Sequence, residues 1–367
     1  SIDSDRSAGE LTDPELTHLY HTFQLMMEDV KEGRFSPAVV YDGDTPAEYA
    51  SVPLTCYEGK GYRRETFESI STLLENYYAS RDTITRIRQK SSDLRRIVQT
   101  ALERSCKKYD LQLKQLKDTE KREKYRIYGE LLNTYGYELK GGEKSFKCIN
   151  YYDNEEITIP LDPQLTAREN AQKHFDKYNK LKRTYEALSQ LTMETKAEVD
   201  HLESVSSALD IALEENDLVQ IKEELMEFGY VKKRRANEKR PKITSKPFHY
   251  ISSDGYDIFV GKNNYQNEEL TFKVASGNDW WFHAKGIPGS HVIVKSNGQT
   301  DLPDRVFEEA GALAAYYSKG RENDKVEIDY IQKKNIKKVA GAAPGFVIYH
   351  TNYSLVASPR CDLKEVK

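Results

Sequence analysis

Two long stretches free of strong helix breakers, each with apolar residues at seven-residue spacing, constrain this chain more than any other feature. Residues 82 to 137 are nearly devoid of glycine and proline and dense in Lys, Arg and Glu. Within them Ile87, Leu94 and Ala101 recur every seven residues, and after a one-residue shift Leu102, Tyr109 and Leu116 continue the period. A second stretch, 164 to 213, carries Leu181, Leu188, Thr195, Leu202 and Leu209 at the same interval, with Tyr185 and Val199 in the companion position. Such a repeat draws one narrow apolar stripe along a helix, and a second helix lying alongside buries it. Two arms joined by about 25 residues therefore predict an antiparallel coiled-coil hairpin, each arm about 70–80 Å long at ~1.5 Å per residue. An ordinary helical bundle is the alternative. The joining segment GGEKSFKCINYYDNEEITIPLDPQLT alternates around Asp153-Asn154, so a small β tip is expected at about 138–163.

Composition agrees with exposed arms. Charged residues make up 31% and hydrophobic residues 38%, a balance that suits solvated helices with little core per residue. The net charge of −4, from 55 basic and 59 acidic side chains, gives no global field favouring nucleic acid, so any RNA binding must come from local patches. Cys56, Cys106, Cys148 and Cys361 lie far apart without a CxxC pair, and read as reduced thiols of an intracellular protein. No apolar run approaches the ~18 residues of a membrane span, so no membrane partner is expected. The chain begins at Ser1 without a methionine, so a missing N-terminal signal carries little weight, and a cytoplasmic location is the expectation.

Before the arms, Asp13-Pro14 reads as a helix start, with Leu16, Tyr20, Phe23, Met27 and Val30 at helical spacing up to Gly33. SPAVVYDGDTPAEYASVPLTCY reads as two strands about an Asp-Gly turn, and ETFESISTLLENYYASR as a short helix. Residues 1–80 are thin for an independent core and are taken as the tail of a larger domain. The middle domain, 81–231, closes with a helix carrying Leu218, Ile221, Leu225 and Phe228 and stopping at Gly229. A basic linker, 232–245, follows with Lys232, Lys233, Arg234 and Arg235; it is either a solvated connector or a phosphate-contacting strap.

Residues 246–367 change character to an α+β domain with a mainly antiparallel sheet. Its hairpin DWWFHAKGIPGSHVIV holds both tryptophans of the chain. Strand alternation puts Asp279, Trp281, His283 and Lys285 on one face and Trp280, Phe282 and Ala284 on the other. The second set is expected to be core. The first then presents an aromatic ring, an imidazole and an ammonium together, suited to stacking on a base and pairing with a phosphate. Ser290 and His291 follow the Gly-Ile-Pro-Gly turn and join this set. Lys262, Asn263 and Asn264 in VGKNNYQNEEL read as a turn able to hold phosphate or base edges, although turn chemistry alone selects the same residues. QKKNIKK adds Lys334, Asn335, Lys337 and Lys338 to a local basic surface. His283, His291 and Asp279 number three potential metal ligands, but their spacing matches no HExxH or CxxC pattern, so no metal is expected. No nucleophile or paired carboxylate stands beside the histidines, so no catalytic residue is expected either. Histidines that merely satisfy backbone groups in the sheet are the competing reading.

The stretches VGKNNYQNEELTFKVASGNDWWFHAKGIPGSHVIV, LAAYYSK and KKVAGAAPGFVIY resemble the C-terminal RNA-binding domain of NFACT proteins. YGELLNTY and IPLDPQLTARENAQKHFDKYNKLKR resemble the family's coiled-coil middle region, and residues 13 to 80 the end of its N-terminal domain. The resemblance implies binding to a stalled large ribosomal subunit, through rRNA and the stalk-base protein, and to tRNA. In the family, alanyl-tRNA is recruited to tail the nascent chain with alanine, the ribosome forming the bond, so no cofactor is implied. The family's Asp-Arg motif for tRNA selection falls in a part of the N-terminal domain that this sequence does not include. The family's older name, fibronectin-binding protein, implies the rival reading of a surface adhesin, for which the sequence offers no wall-sorting signal. A metal-dependent hydrolase at His283 and His291 is the third reading.

Overall fold

The structure is a computed structural model that describes residues 7–42, 45–59, 61–234, 242–299 and 301–366. The chain divides into two compact units, Ser1–Ser92 with Leu213–Glu215, and Asp93–Ala212 with Asn216–Lys367.

In the first unit, helix α1 (Asp13–Lys31) starts one residue earlier than the sequence suggests, with Thr12 as its cap. The Glu15 carboxylate accepts the Thr12 N–H and O–H at 2.8 Å each, satisfying donors that the first turn leaves open. None of its residues is buried. Strands β1 (Ala38–Asp42) and β2 (Thr45–Ala50) pair antiparallel, and β3 (Arg63–Thr66) lies on the other side of β1. Val39 and Tyr41 pack on Leu73 and Tyr77 of α2 (Ile70–Asp118). The expected short helix and the start of the first arm are thus one 49-residue helix; no Gly or Pro interrupts the sequence between them.

In the second unit α2 passes through a 3₁₀ turn (Thr119–Lys121) into α3 (Arg122–Tyr135), and α4 (Ala167–Ile211) returns. Pairing is antiparallel. Arg95 meets Asp210 and the Leu209 carbonyl, the Arg122 guanidinium lies 3.9 Å from the centre of the Tyr185 ring, and Gly129 faces Phe175. Rising numbers on one arm meet falling numbers on the other. The buried seam reads Leu94, Val98, Ser105, Gln112 and Thr119 against Thr192, Thr195, Val199, Leu202, Val205 and Leu209. Beyond the arms, β4 (Ser145–Asn150) and β5 (Glu155–Pro160) form the expected hairpin, turned by Asn154 at φ 60°. Phe146 and Ile159 seat it on Tyr128, Leu131, Leu132 and Ala171.

After α5 (Glu215–Glu227) the C-terminal sheet is built from β6 (Phe248–Ile251), β7 (Asp257–Val260), β8 (Trp280–Ala284), β9 (Val292–Val294), β10 (Val326–Gln332) and β13 (Tyr353–Ala357). Their order is β13-β10-β8-β9-β7-β6, antiparallel throughout. Between β7 and β8 lies α6 (Asn264–Glu269), which runs on into a π turn (Leu270–Val274). Helix α7 (Asp304–Tyr316) packs Val306, Ala310, Leu313 and Ala314 on the face that carries Phe282, Ala284 and Val292. The other face is covered as well. Leu270, Ala275 and Ile336 lie on Trp281, Ile293 and Ile331, beside the small ribbon of β11 (Lys337–Lys338) and β12 (Val347–Ile348).

Candidate nucleic-acid interface

The second covering layer corrects the expected open face of the hairpin. Trp281 is 1% exposed and sits in a core, while Trp280 on the α7 face is the half-buried one. A strand's two-residue period says which side chains share a face, but both faces of this sheet are covered. His283 stacks on Trp281 with centroids 5.6 Å apart, and His291 meets the same indole edge-on at 5.1 Å. His291 Nδ1 shares a 2.7 Å hydrogen bond with Thr271 Oγ1, and its backbone N–H donates to Asn267 Oδ1 at 3.0 Å. Burial pushes the His283 pKa down to about 4 and that of His291 well below the ordinary value. Both rings therefore stay neutral near pH 7, and neither offers a cation to a phosphate. Ser290 is buried and donates to the Gly261 carbonyl. Of this set Lys285 is exposed, paired with Glu327, and His283 is half-buried.

Asp279 is also buried. Its carboxylate accepts from the N–H groups of Ser276 at 2.7 Å and Ser296 at 2.9 Å and from the Lys295 ammonium. Burial alone would raise its pKa, but these donors outweigh burial and hold it below the usual carboxylate value. It is an anchor tying the start of β8 to the loop after β9.

Lys262, Asn263 and Asn264 were expected on an exposed turn, and the structure places them in a buried clasp against α4 and α5. Asn263 caps α6 by accepting the Gln266 N–H at 3.0 Å, while Lys262 N–H donates to Gln266 Oε1 at 3.0 Å. Gly261 is needed there, since a Cβ would stand 2.2 Å from Asn267 Oδ1. So fixed, the Lys262 ammonium reaches Asp217 at 3.3 Å, Asn263 donates to Gln220 at 2.8 Å, and Asn264 donates to Glu224 at 2.7 Å and Ser204 at 2.8 Å. His201 bonds the same Glu224 oxygen at 2.8 Å. These side chains hold the sheet domain to the arm, and their polarity is spent inside the protein.

The basic residues that remain exposed lie elsewhere. Lys334, Asn335, Lys337 and Lys338 project from the segment between β10 and β12, and the half-buried Lys333 stands beside them. Lys338 pairs with Glu268 at 2.7 Å; Lys333, Lys334 and Lys337 have no ion pair among the described residues. The Lys334 N–H donates to the Gly277 carbonyl at 3.0 Å, which sets Lys334 beside the rim of a shallow cavity of about 450 Å³. Ser276, Asn278, Asp279, Lys295, Ser296 and Asn297 line it, the Lys295 ammonium being held by the Asp279 carboxylate. Ammonium groups around a recess with amide and hydroxyl walls can take a phosphodiester together with a sugar or base edge. Lys333 and Lys295 were missed from sequence, although the first belongs to the same lysine run. Lys232 and Lys233 are exposed, Arg234 pairs with Glu223, and Arg235 lies outside the described residues. Among the described residues no three His, Cys, Asp or Glu side chains could hold a metal ion, and no helix is long and apolar enough to cross a membrane.

Comparison with known proteins adds an independent line. The family model for NFACT N-terminal and middle domains matches residues 1–244, and that for the NFACT protein RNA binding domain matches residues 246–350. The Rqc2 homolog RqcH of Streptococcus suis is 42% identical over 88% of this chain and 57% of its own length. The Bacillus subtilis protein of the same name is 35% identical over 92% of this chain and 58% of its own. The chain thus spans a little over half the length of these relatives. A solved structure of the C-terminal of the fibronectin/fibrinogen-binding protein from Streptococcus suis superposes with a TM-score of 0.58 at 38% identity, covering 76% of this chain and 97% of that one.

Proposed function

The chain belongs to the NFACT family, and on that premise we propose that it acts in ribosome-associated quality control, holding RNA against its C-terminal domain. In this reading it docks on the stalled large ribosomal subunit and on tRNA in the cytoplasm, and the complete protein recruits alanyl-tRNA for alanine tailing. The antiparallel arms supply reach toward the stalk base, and the chain makes and breaks no covalent bond itself. The observation that carries the proposal is the lysine run at 333–338, open beside a polar recess in a domain matched as RNA-binding. Co-sedimentation with purified large subunits across a salt series tests it. Binding is expected to weaken as salt rises and to fall when Lys333, Lys334 and Lys337 are all changed to Ala. Absence of binding at low salt would overturn it.

A second reading, binding to fibronectin, is favoured by the likeness to the fibronectin/fibrinogen-binding protein of Streptococcus suis. Salt-tolerant capture of fibronectin, unaffected by the lysine changes, would support that reading over the first.

A further inference from the structure

On the sheet's α7 face, at the end of β8 where Trp280 follows Asp279 of the first recess, is a second cavity, of about 380 Å³, whose chemistry is unlike that of the lysine face. Trp280, Phe307, Tyr330 and Tyr353 form its walls, and Asp304 and Glu308 stand at its mouth. The rings enclose a corner: Trp280 meets Phe307 edge-on at 4.9 Å, and Tyr330 stacks against Tyr353 at 5.5 Å. α7 begins at Asp304, and Tyr353 stays 62% exposed on the edge strand β13. Asp304 sits in the first turn, where the helix dipole accounts for a carboxylate. Glu308 is a turn further in. It is exposed and has no cation partner among the described residues, whereas its neighbour Glu309 is paired with Arg305 at 3.2 Å.

Several aromatic faces with carboxylates at the rim are the pattern that holds a cationic side chain, because the ring quadrupoles and the carboxylates attract the same charge. The same rim repels a phosphodiester. Tyr353 also opens the pocket onto the outer edge of β13, whose one strand partner among the described residues is β10. An extended peptide lying along that edge would bring its side chains over the pocket. We infer that this pocket takes an arginine or lysine side chain of a basic protein segment, so that the domain engages RNA through its lysine face and a basic polypeptide through its aromatic corner.

The test uses the full chain and the probe Gly-Arg-Gly-Arg-Gly-Arg-Gly, with the citrulline peptide of the same shape and an octauridylate as comparators. Titration is followed by tryptophan emission, which Trp280 reports. The expected result is saturable binding of the arginine peptide at least tenfold tighter than the citrulline peptide. Tyr353→Ala and Glu308→Gln should each weaken it at least fivefold at unchanged thermal midpoint, while Ala at Lys333, Lys334 and Lys337 should leave it unchanged. Equal binding of both peptides, or indifference to both pocket variants, would overturn the inference. So would a Tyr353-dependent emission change with octauridylate alone, which would make the corner a base-stacking site.

Discussion

Asn264→Leu separates a structural from a ligand-binding role for the clasp. Asn264 is 5% exposed, and its amide donates to Glu224 at 2.7 Å and to Ser204 at 2.8 Å. Leucine has a similar volume, so the change removes two hydrogen bonds with little cavity. A bond to a charged acceptor contributes about 1.5–3 kcal/mol and a neutral one about 1 kcal/mol, which puts the loss at roughly 3 kcal/mol. Glu224 is 0% exposed and would retain His201, so its carboxylate is left half-satisfied rather than bare. For a body of this size about 3 kcal/mol corresponds to a fall of ~5 °C in thermal midpoint. Calorimetry of wild type and variant reads the midpoint, and RNA affinity is measured in parallel well below the transition. The account predicts a clear loss of stability with affinity unchanged within about twofold. An unchanged midpoint with a tenfold loss of affinity would refute it and return Asn264 to the RNA surface.

Other consequences follow from burial and close contact. Trp281→Ala deletes a fully buried indole and is expected to cost about 3–5 kcal/mol, so any loss of RNA binding in this variant should track unfolding measured by circular dichroism. Gly129→Ala places a Cβ 2.7 Å from the Phe175 ring, and the strain of about 1–3 kcal/mol should exceed the ~1 kcal/mol gain in helix propensity; a stabilised variant would show that the arms can part freely there. The His283 pKa of about 4 lies below the unfolded value of about 6.5, so the unfolded chain takes up the proton first. Stability from this ring is complete above about pH 6.5 and is lost as pH falls toward 4. His291, lowered further, acts in the same direction. An imidazole NMR titration showing either ring protonating near pH 6.5 would contradict this.

The arms and tip were legible because a heptad stripe and an Asp-Asn turn are local signals. The seam extends further than apolar residues reveal, since Ser105, Gln112 and Thr119 occupy it; polar seam positions are invisible to a hydrophobic period. Lys262, Asn263 and Asn264 were misplaced for a related reason. Their composition is that of a surface turn, and only partners some 40 or more residues away, Asp217, Gln220 and Glu224, make burial tolerable. Alternation correctly grouped Trp280 with Phe282 and Ala284. It left Trp281 on an open face because nothing local announces that α6, its π turn and Ile336 cover the second side. The lysines at 334, 337 and 338 were read as surface and are exposed, since strongly hydrated ammonium groups stay in water while Ile336 between them enters the core.

On the proposed function, RNA meets this domain at the lysine run and not at the tryptophan hairpin or the Lys-Asn-Asn clasp. The most direct measurement is the salt dependence of RNA affinity for wild type, the Lys333/Lys334/Lys337→Ala variant and Asn264→Leu. The account predicts that the slope of log affinity against log salt falls by about one for each lysine removed that contacts a phosphate, and stays at the wild-type value in Asn264→Leu. An unchanged slope in the lysine variant would contradict it.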